Sequence, residues 1–181
     1  MNFIVRYTLG MESSTKTFYW WTDLSQLITG RLNRGFGMTV GNFDGVHLGH
    51  RSLLKEVVDW SNLHQELSLV LTFDPHPLQL LYPEKKHVRL FDCEDQKEQF
   101  RQLGLSAVLL QPFSRDFSEQ SAESFFRNYL LAQIRPKFLA IGHDFNFGRN
   151  KEGCRQLLEK LCRQEGVELK VVPPYRISDS V

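Results

Sequence analysis

Short apolar runs alternate along this chain with longer stretches in which apolar residues recur every three or four positions. The runs FGMTV (36–40), LSLVLTF (67–73), AVLL (107–110), FLAI (138–141) and VELKVV (167–172) have strand length. LSLVLTF in particular is apolar without a break, as a strand buried on both faces requires. Helical spacing fills the intervals. Residues 51–62 (RSLLKEVVDWSN) form one such stretch, and Asp92 offers an N-cap to a second that ends near Gly104. A third covers 121–133, where Phe125, Phe126, Tyr129 and Leu130 share a face, and a fourth covers 154–164. Strands alternating with helices imply right-handed crossovers and an α/β fold, a parallel sheet with helices on both faces. Residues 3–7 and 16–21 predict a hairpin or an edge extension, and 23–31 a short helix.

In such a sheet, ligands sit outside the carboxyl ends of the strands. Three unusual loops follow strands here: 42–49, 74–90 and 142–153. All three are expected to rim one crevice.

Composition narrows the classes of partner. At 181 residues, with 41% hydrophobic residues and 14 Phe, the chain has enough apolar material for one folded domain. A net charge of +1 with scattered basic residues argues against a general binder of nucleic acid or membrane surfaces. No apolar run approaches the ~20 residues of a membrane span, and the N-terminus lacks the uninterrupted apolar core of a signal peptide. Cys93, Cys154 and Cys162 show no CxxC spacing, which suits bystander thiols of a reducing compartment. Cytoplasmic localisation is the expectation.

The densest chemistry lies in Gly41 to His50 (GNFDGVHLGH), between a strand and a helix. Helix N-termini present unpartnered N–H groups and roughly half a positive charge, so they suit phosphate. Gly45 and Gly49 keep side chains away from that mouth, and His47 and His50 add directed donors. This points to nucleotidyl transfer. Two plainer readings compete: a pair of capping or solvated histidines, or a zinc site that His76 or His143 would have to complete. Gly35, Gly37 and Gly41 (GxGxxxG) precede and run through the strand instead of following it, so they are no dinucleotide fingerprint, and no GxxxxGK[ST] occurs.

The second loop opens with Thr72-Phe73-Asp74-Pro75-His76-Pro77, whose prolines fix the backbone around one histidine. It reads either as a rigid turn or as a wall for a flat, partly apolar ligand. The third loop, GHDFNFGRNKEG (142–153), mixes Phe145 and Phe147 with Asp144, Asn146 and Arg149. Its rings offer stacking surface, and one of them is expected to plug the core.

Together the three loops resemble the FMN adenylyltransferase (FAD synthetase) module of bacterial bifunctional riboflavin kinase/FMN adenylyltransferases. GNFDGVHLGH resembles that family's HxGH nucleotidyltransferase signature; TFDPHP and IGHDFNFG resemble its second and third motifs, in the same order. The resemblance covers roughly residues 36 to 172. It implies a Rossmann-like fold of the HxGH nucleotidyltransferase type and Mg²⁺-dependent transfer of AMP from ATP to FMN. On the family pattern His47 and His50 would contact the ATP phosphates, and Gly41, Phe43, Asp44, Gly45 and Gly49 would lie on the ATP side. Phe73, Pro75, His76 and Pro77 would line the flavin side, with Asp144, Phe145, Phe147 and Gly148 closing it. Mg²⁺ would ride on phosphate oxygens and water, with no dedicated protein metal site. The family carries a further ISSTxIR-like motif beyond the last strand and a C-terminal riboflavin kinase domain. The sequence ends at Val181 short of both, with Ser178 and Ser180 no substitute, so the expectation is a single adenylyltransferase-like domain, 1–181, cut from a longer protein. Binding of ATP or FMN without turnover, or transfer to another phosphate acceptor, are the alternatives.

Overall fold

A computed structural model describes residues 3–8, 15–21, 35–85 and 93–175. Seven strands form one sheet: β1 (Phe3–Thr8), β2 (Thr15–Trp21), β3 (Phe36–Val40), β4 (Leu67–Asp74), β5 (Ala107–Pro112), β6 (Pro136–Gly142) and β7 (Glu168–Val172). Their order is β1-β2-β5-β4-β3-β6-β7. Only β1 and β2 pair antiparallel; every other neighbouring pair is parallel. The N-terminal segments thus do both things expected of them, a hairpin that extends the sheet edge by docking β2 on β5. The expected helix at 23–31 and the Asp92 cap lie outside the described residues.

From β3 the chain builds outward through β4 and β5, then returns to add β6 and β7 on the other side of β3. The direction of winding therefore reverses between β3 and β6, and a crevice opens there at the carboxyl ends of the strands. Both faces of the sheet are covered, which explains the unbroken apolar runs. In β4, Leu67, Leu69 and Leu71 join a core layer with Phe126, Leu130 and Leu158, while Val70 joins the opposite layer with Leu54, Val57 and Phe100.

The helices are α1 (Leu48–Leu63), α2 (Pro77–Leu81), α3 (Cys93–Gln102), α4 (Arg115–Ser118), α5 (Ala122–Ser124) and α6 (Arg155–Glu165). Helix α1 starts three residues before the expected 51–62 stretch because His47 is itself the cap. Loop 74–90 contains the short α2, opened by Pro77 at its first position. The 121–133 stretch is helical, but from Phe125 to Ile134 it winds as a π-helix, ending where Arg135 donates its N–H to Leu130 O five residues back. Its buried residues are Phe125, Phe126, Tyr129, Leu130 and Ile134, a spacing that an ordinary helix would also give.

Helix α1 lies directly on β3 because Gly37 lacks a side chain. A Cβ there would sit 2.5 Å from Ser61 Oγ and 2.7 Å from the Trp60 ring. Of the glycines read as a false fingerprint, Gly37 thus serves close helix–strand packing. Gly37→Ala is expected to lower stability by about 1–3 kcal/mol through overpacking. Urea denaturation checks this, and an unchanged midpoint would show that α1 can ride away from β3 at no cost.

Candidate active site

The turn joining β3 to α1 is tightly wound. Phe43, Gly45 and Val46 have φ values of 24°, 77° and 37°, in the left-handed region that glycine favours. Phe43 and Val46 tolerate this because their side chains are buried, each 1% exposed, in the layer beneath α1. The turn's carbonyls are held from outside: Gln96 Nε2 donates to Phe43 O at 3.2 Å, and Arg51 Nε donates to Val46 O at 3.2 Å. Arg51 also donates to Gln99 Oε1. These three supporting residues were not visible as site residues in the sequence. Gln96 and Gln99 arrive from α3, distant along the chain, and only Arg51's position directly after the motif gave any signal.

At the end of this turn His47 caps α1, its Nδ1 accepting the His50 N–H at 3.2 Å. An accepting Nδ1 is unprotonated, so the neutral His47 ring carries its proton on Nε2 and presents a donor outward. The cap consumes one of the first-turn amides, leaving those of Leu48 and Gly49 without an intrahelical acceptor. The His47 and His50 rings stack, centroids 3.6 Å apart and 17° from parallel. Below them lies the Phe43 ring, 5.1 Å from His50. Gly49 makes room: a Cβ there would come 3.3 Å from the His47 ring.

His50 sits in this stack with a buried Nδ1 that has no hydrogen-bond partner among the described residues. Burial first, and His47 second, push its pKa down to about 4, against the opposing pull of Asp44 and Asp144. The ring is therefore neutral at ordinary pH. Asp144, expected on the flavin side, lies close enough for its charge to act on His50.

Three further predicted residues, Phe73, Phe145 and Phe147, belong to a band of rings. Phe73, at the end of β4, meets Phe113 at 5.5 Å and Phe117 at 6.0 Å. Phe117 meets Phe125 at 6.0 Å, Phe125 meets Phe147 at 6.1 Å, and Phe145 stacks on Phe147 at 5.6 Å. Phe147 is the ring that plugs the core, at 7% exposure, whereas Phe145 is half-buried. Phe113 and Phe117 were missed, although the density of Phe between 113 and 126 was a usable signal. Tyr129 backs the band, donating its hydroxyl hydrogen to Gln111 Oε1 at 2.5 Å; burial pushes its pKa up.

Pro75 is exposed and Pro77 half-buried, and they flank His76, which is buried and caps α2 by accepting the Leu78 N–H at Nδ1, 3.1 Å away. The rigid-turn reading of this loop therefore describes its backbone. Gly41 donates its N–H to Leu71 O at 3.1 Å, and Gly148 packs against the Ala122 backbone. Among the described residues no group of three or more His, Cys, Asp or Glu side chains is set to hold a metal ion, and no helix is long and apolar enough to cross a membrane.

A mostly parallel sheet with a histidine-capped helix mouth after β3, at its switch point, is the Rossmann-like α/β fold of a nucleotidyltransferase-type domain. The FAD synthetase family model matches residues 30–181, and the chain belongs to that family. It is similar to the bifunctional riboflavin kinase/FMN adenylyltransferases of Escherichia coli (strain K12), 36% identical over 75% of this chain and 43% of that protein, and Listeria monocytogenes, 34% identical over 74% and 39%. The Haemophilus influenzae protein of the same name is 33% identical over 78% of this chain and 47% of its own length. The chain thus spans less than half the length of these relatives. A crystal structure titled as a macrolide-efflux protein from Streptococcus pneumoniae shares the fold, with TM-score 0.72 and 21% identity over 88% of this chain and 52% of that one.

The depressed His50 pKa fixes a pH dependence of stability. The unfolded chain takes up a proton near the ordinary histidine pKa of about 6.5, whereas the folded ring does so only near 4. The unfolded state thus binds more protons between these values, so the contribution of neutral His50 is full above the upper one and is lost as pH falls toward the lower. His50→Gln is expected to show a smaller drop in urea midpoint over that window than the unaltered protein; equal drops would contradict a neutral, buried His50.

Proposed function

We propose that this chain transfers AMP from ATP to FMN, giving FAD and pyrophosphate. The observation that carries the reading is the stacked histidine pair at the mouth of α1, taken together with the band of aromatic rings that runs from Phe73 to Phe145. Family membership and the relatives named as FMN adenylyltransferases support it. In this reading His47, His50, Gly49 and the α1 amides take the ATP phosphates, with Gly41, Phe43, Asp44 and Gly45 shaping the turn that presents them. Phe73, Pro75, His76, Pro77, Asp144, Phe145, Phe147 and Gly148 form the flavin side.

In the reaction an FMN phosphate oxygen bonds to the ATP α-phosphorus, and the bond from that phosphorus to the bridging oxygen of the β-phosphate breaks. The attacking phosphate is largely dianionic near neutrality, its second pKa being about 6, so no general base is required. The protein's part is to position two anions and to stabilise charge on the leaving pyrophosphate. A neutral imidazole with its proton on Nε2 suits this as a directed donor. Mg²⁺ enters as part of the ATP substrate, held by phosphate oxygens and water, and offsets charge on the tail. A riboflavin kinase domain in cis and a cytoplasmic location belong to the same proposal.

His50→Ala is expected to lower turnover by about 10²–10³, the usual effect of removing one transition-state donor. Incubation with ATP, Mg²⁺ and FMN, with FAD measured by chromatography, checks this. Flavin binding without any FAD would reduce the chain to a binding module, and adenylation of another phosphate in place of FMN would assign it a different acceptor.

A further inference from the structure

The 142–153 loop carries Asp144, Phe145 and Phe147, yet what holds it lies at its far end. Phe147 and Gly153 exchange two backbone hydrogen bonds, 3.0 and 2.8 Å, closing residues 148–152 into a tight hairpin. That hairpin is fastened to the start of α5. Gly148, with φ at 73°, lies so close that a Cβ on it would stand 2.5 Å from Ala122 N and 2.6 Å from Ala122 Cα. The Arg149 N–H donates to Gln120 O at 2.8 Å. Glu152 Oε1 accepts the Ala122 N–H at 2.8 Å, a side chain capping a helix thirty residues earlier in the chain.

The arrangement joins two neighbouring parts of the aromatic band. Helix α5 runs directly into the π-helix that carries Phe125 and Tyr129, and Phe125 meets Phe147 of the clamped loop. Ser121 caps the same helix locally by accepting the Ser124 N–H, so the Ala122 amide is free for an outside acceptor, and Glu152 is that acceptor. Its negative charge also faces the positive end of the helix.

We infer that Glu152 is a positioning residue for the flavin side: its bond to the Ala122 amide registers Phe145 and Phe147 against Phe125 and so sets the affinity for FMN. This rests on the proposed adenylyl transfer to FMN. Glu152 touches neither the histidine stack nor the turn beneath it in any described contact, so removing it leaves the ATP side intact.

The full chain is compared with Glu152→Ala and Glu152→Gln, the latter keeping an acceptor oxygen. Glu152→Ala is expected to raise the KM for FMN about five- to tenfold, the scale of a lost helix cap, with kcat and the KM for ATP within about twofold. Glu152→Gln should stay within about threefold of the unaltered chain. A normal FMN KM in Glu152→Ala, a joint rise of both KM values, or equal impairment in the two variants overturns the inference. Amide exchange is read in parallel: Ala122 and residues 145–153 should exchange faster in Glu152→Ala and not in Glu152→Gln. If the unaltered chain forms no FAD, the proposed reaction fails, and the clamp stands or falls on the exchange rates and on FMN affinity by fluorescence titration.

Discussion

The hydrogen bond from the His50 amide to His47 Nδ1 orders the rest of the site. Because a side chain inside the motif provides the cap, the helix starts within the motif, and its free amides fall beside the histidines instead of a turn away. The same bond fixes which nitrogen of His47 holds the proton and lays its ring over that of His50. Two imidazoles in such contact, one of them half-buried over Phe43, are compatible with neutrality and not with two positive charges. The mouth of α1 is therefore lined by oriented dipoles more than by full cations, in keeping with a chain whose net charge is only +1.

That arrangement depends on a backbone conformation that two non-glycine residues adopt only under constraint. Phe43 and Val46 hold left-handed φ values because burying their side chains in the α1 layer, together with the bonds from Gln96 and Arg51, outweighs a local cost on the order of 1–3 kcal/mol each. Core packing, a strained turn and the helix mouth thus form one continuous unit. Disturbing the apolar layer under α1 would reach the site without touching it.

The sequence carried the strand runs well, since unbroken apolar runs have few other uses, and the parallel pairing followed the α/β alternation, whereas the strand order was not legible in it. It carried the site loops through their residue types: histidine, glycine and proline at strand ends. What it hid were features set by three-dimensional neighbours. The π winding of Phe125–Ile134 leaves no trace in a spacing that also fits an ordinary helix. Gln96, Gln99 and Glu152 act across long sequence separations through single hydrogen bonds, which no periodicity records. His76, prominent between two prolines, also takes a local role that its setting did not reveal: it is the cap of a five-residue helix, accepting the Leu78 N–H.

The histidine stack stands at the start of α1, after β3, while the aromatic band takes its rings from the end of β4, the segments after β5 and β6 and the π-helix, with Asp144 of the loop after β6 acting on His50. Such a division suits two substrates that meet at phosphate and differ at their far ends. The most direct measurement is a crystal structure of the chain with Mg²⁺ and a non-hydrolysable ATP analogue. The account predicts phosphate oxygens within hydrogen-bond distance of Nε2 of His47 and His50 and of the Leu48 and Gly49 amides. A triphosphate bound elsewhere, with the stacked rings left facing solvent, would contradict it.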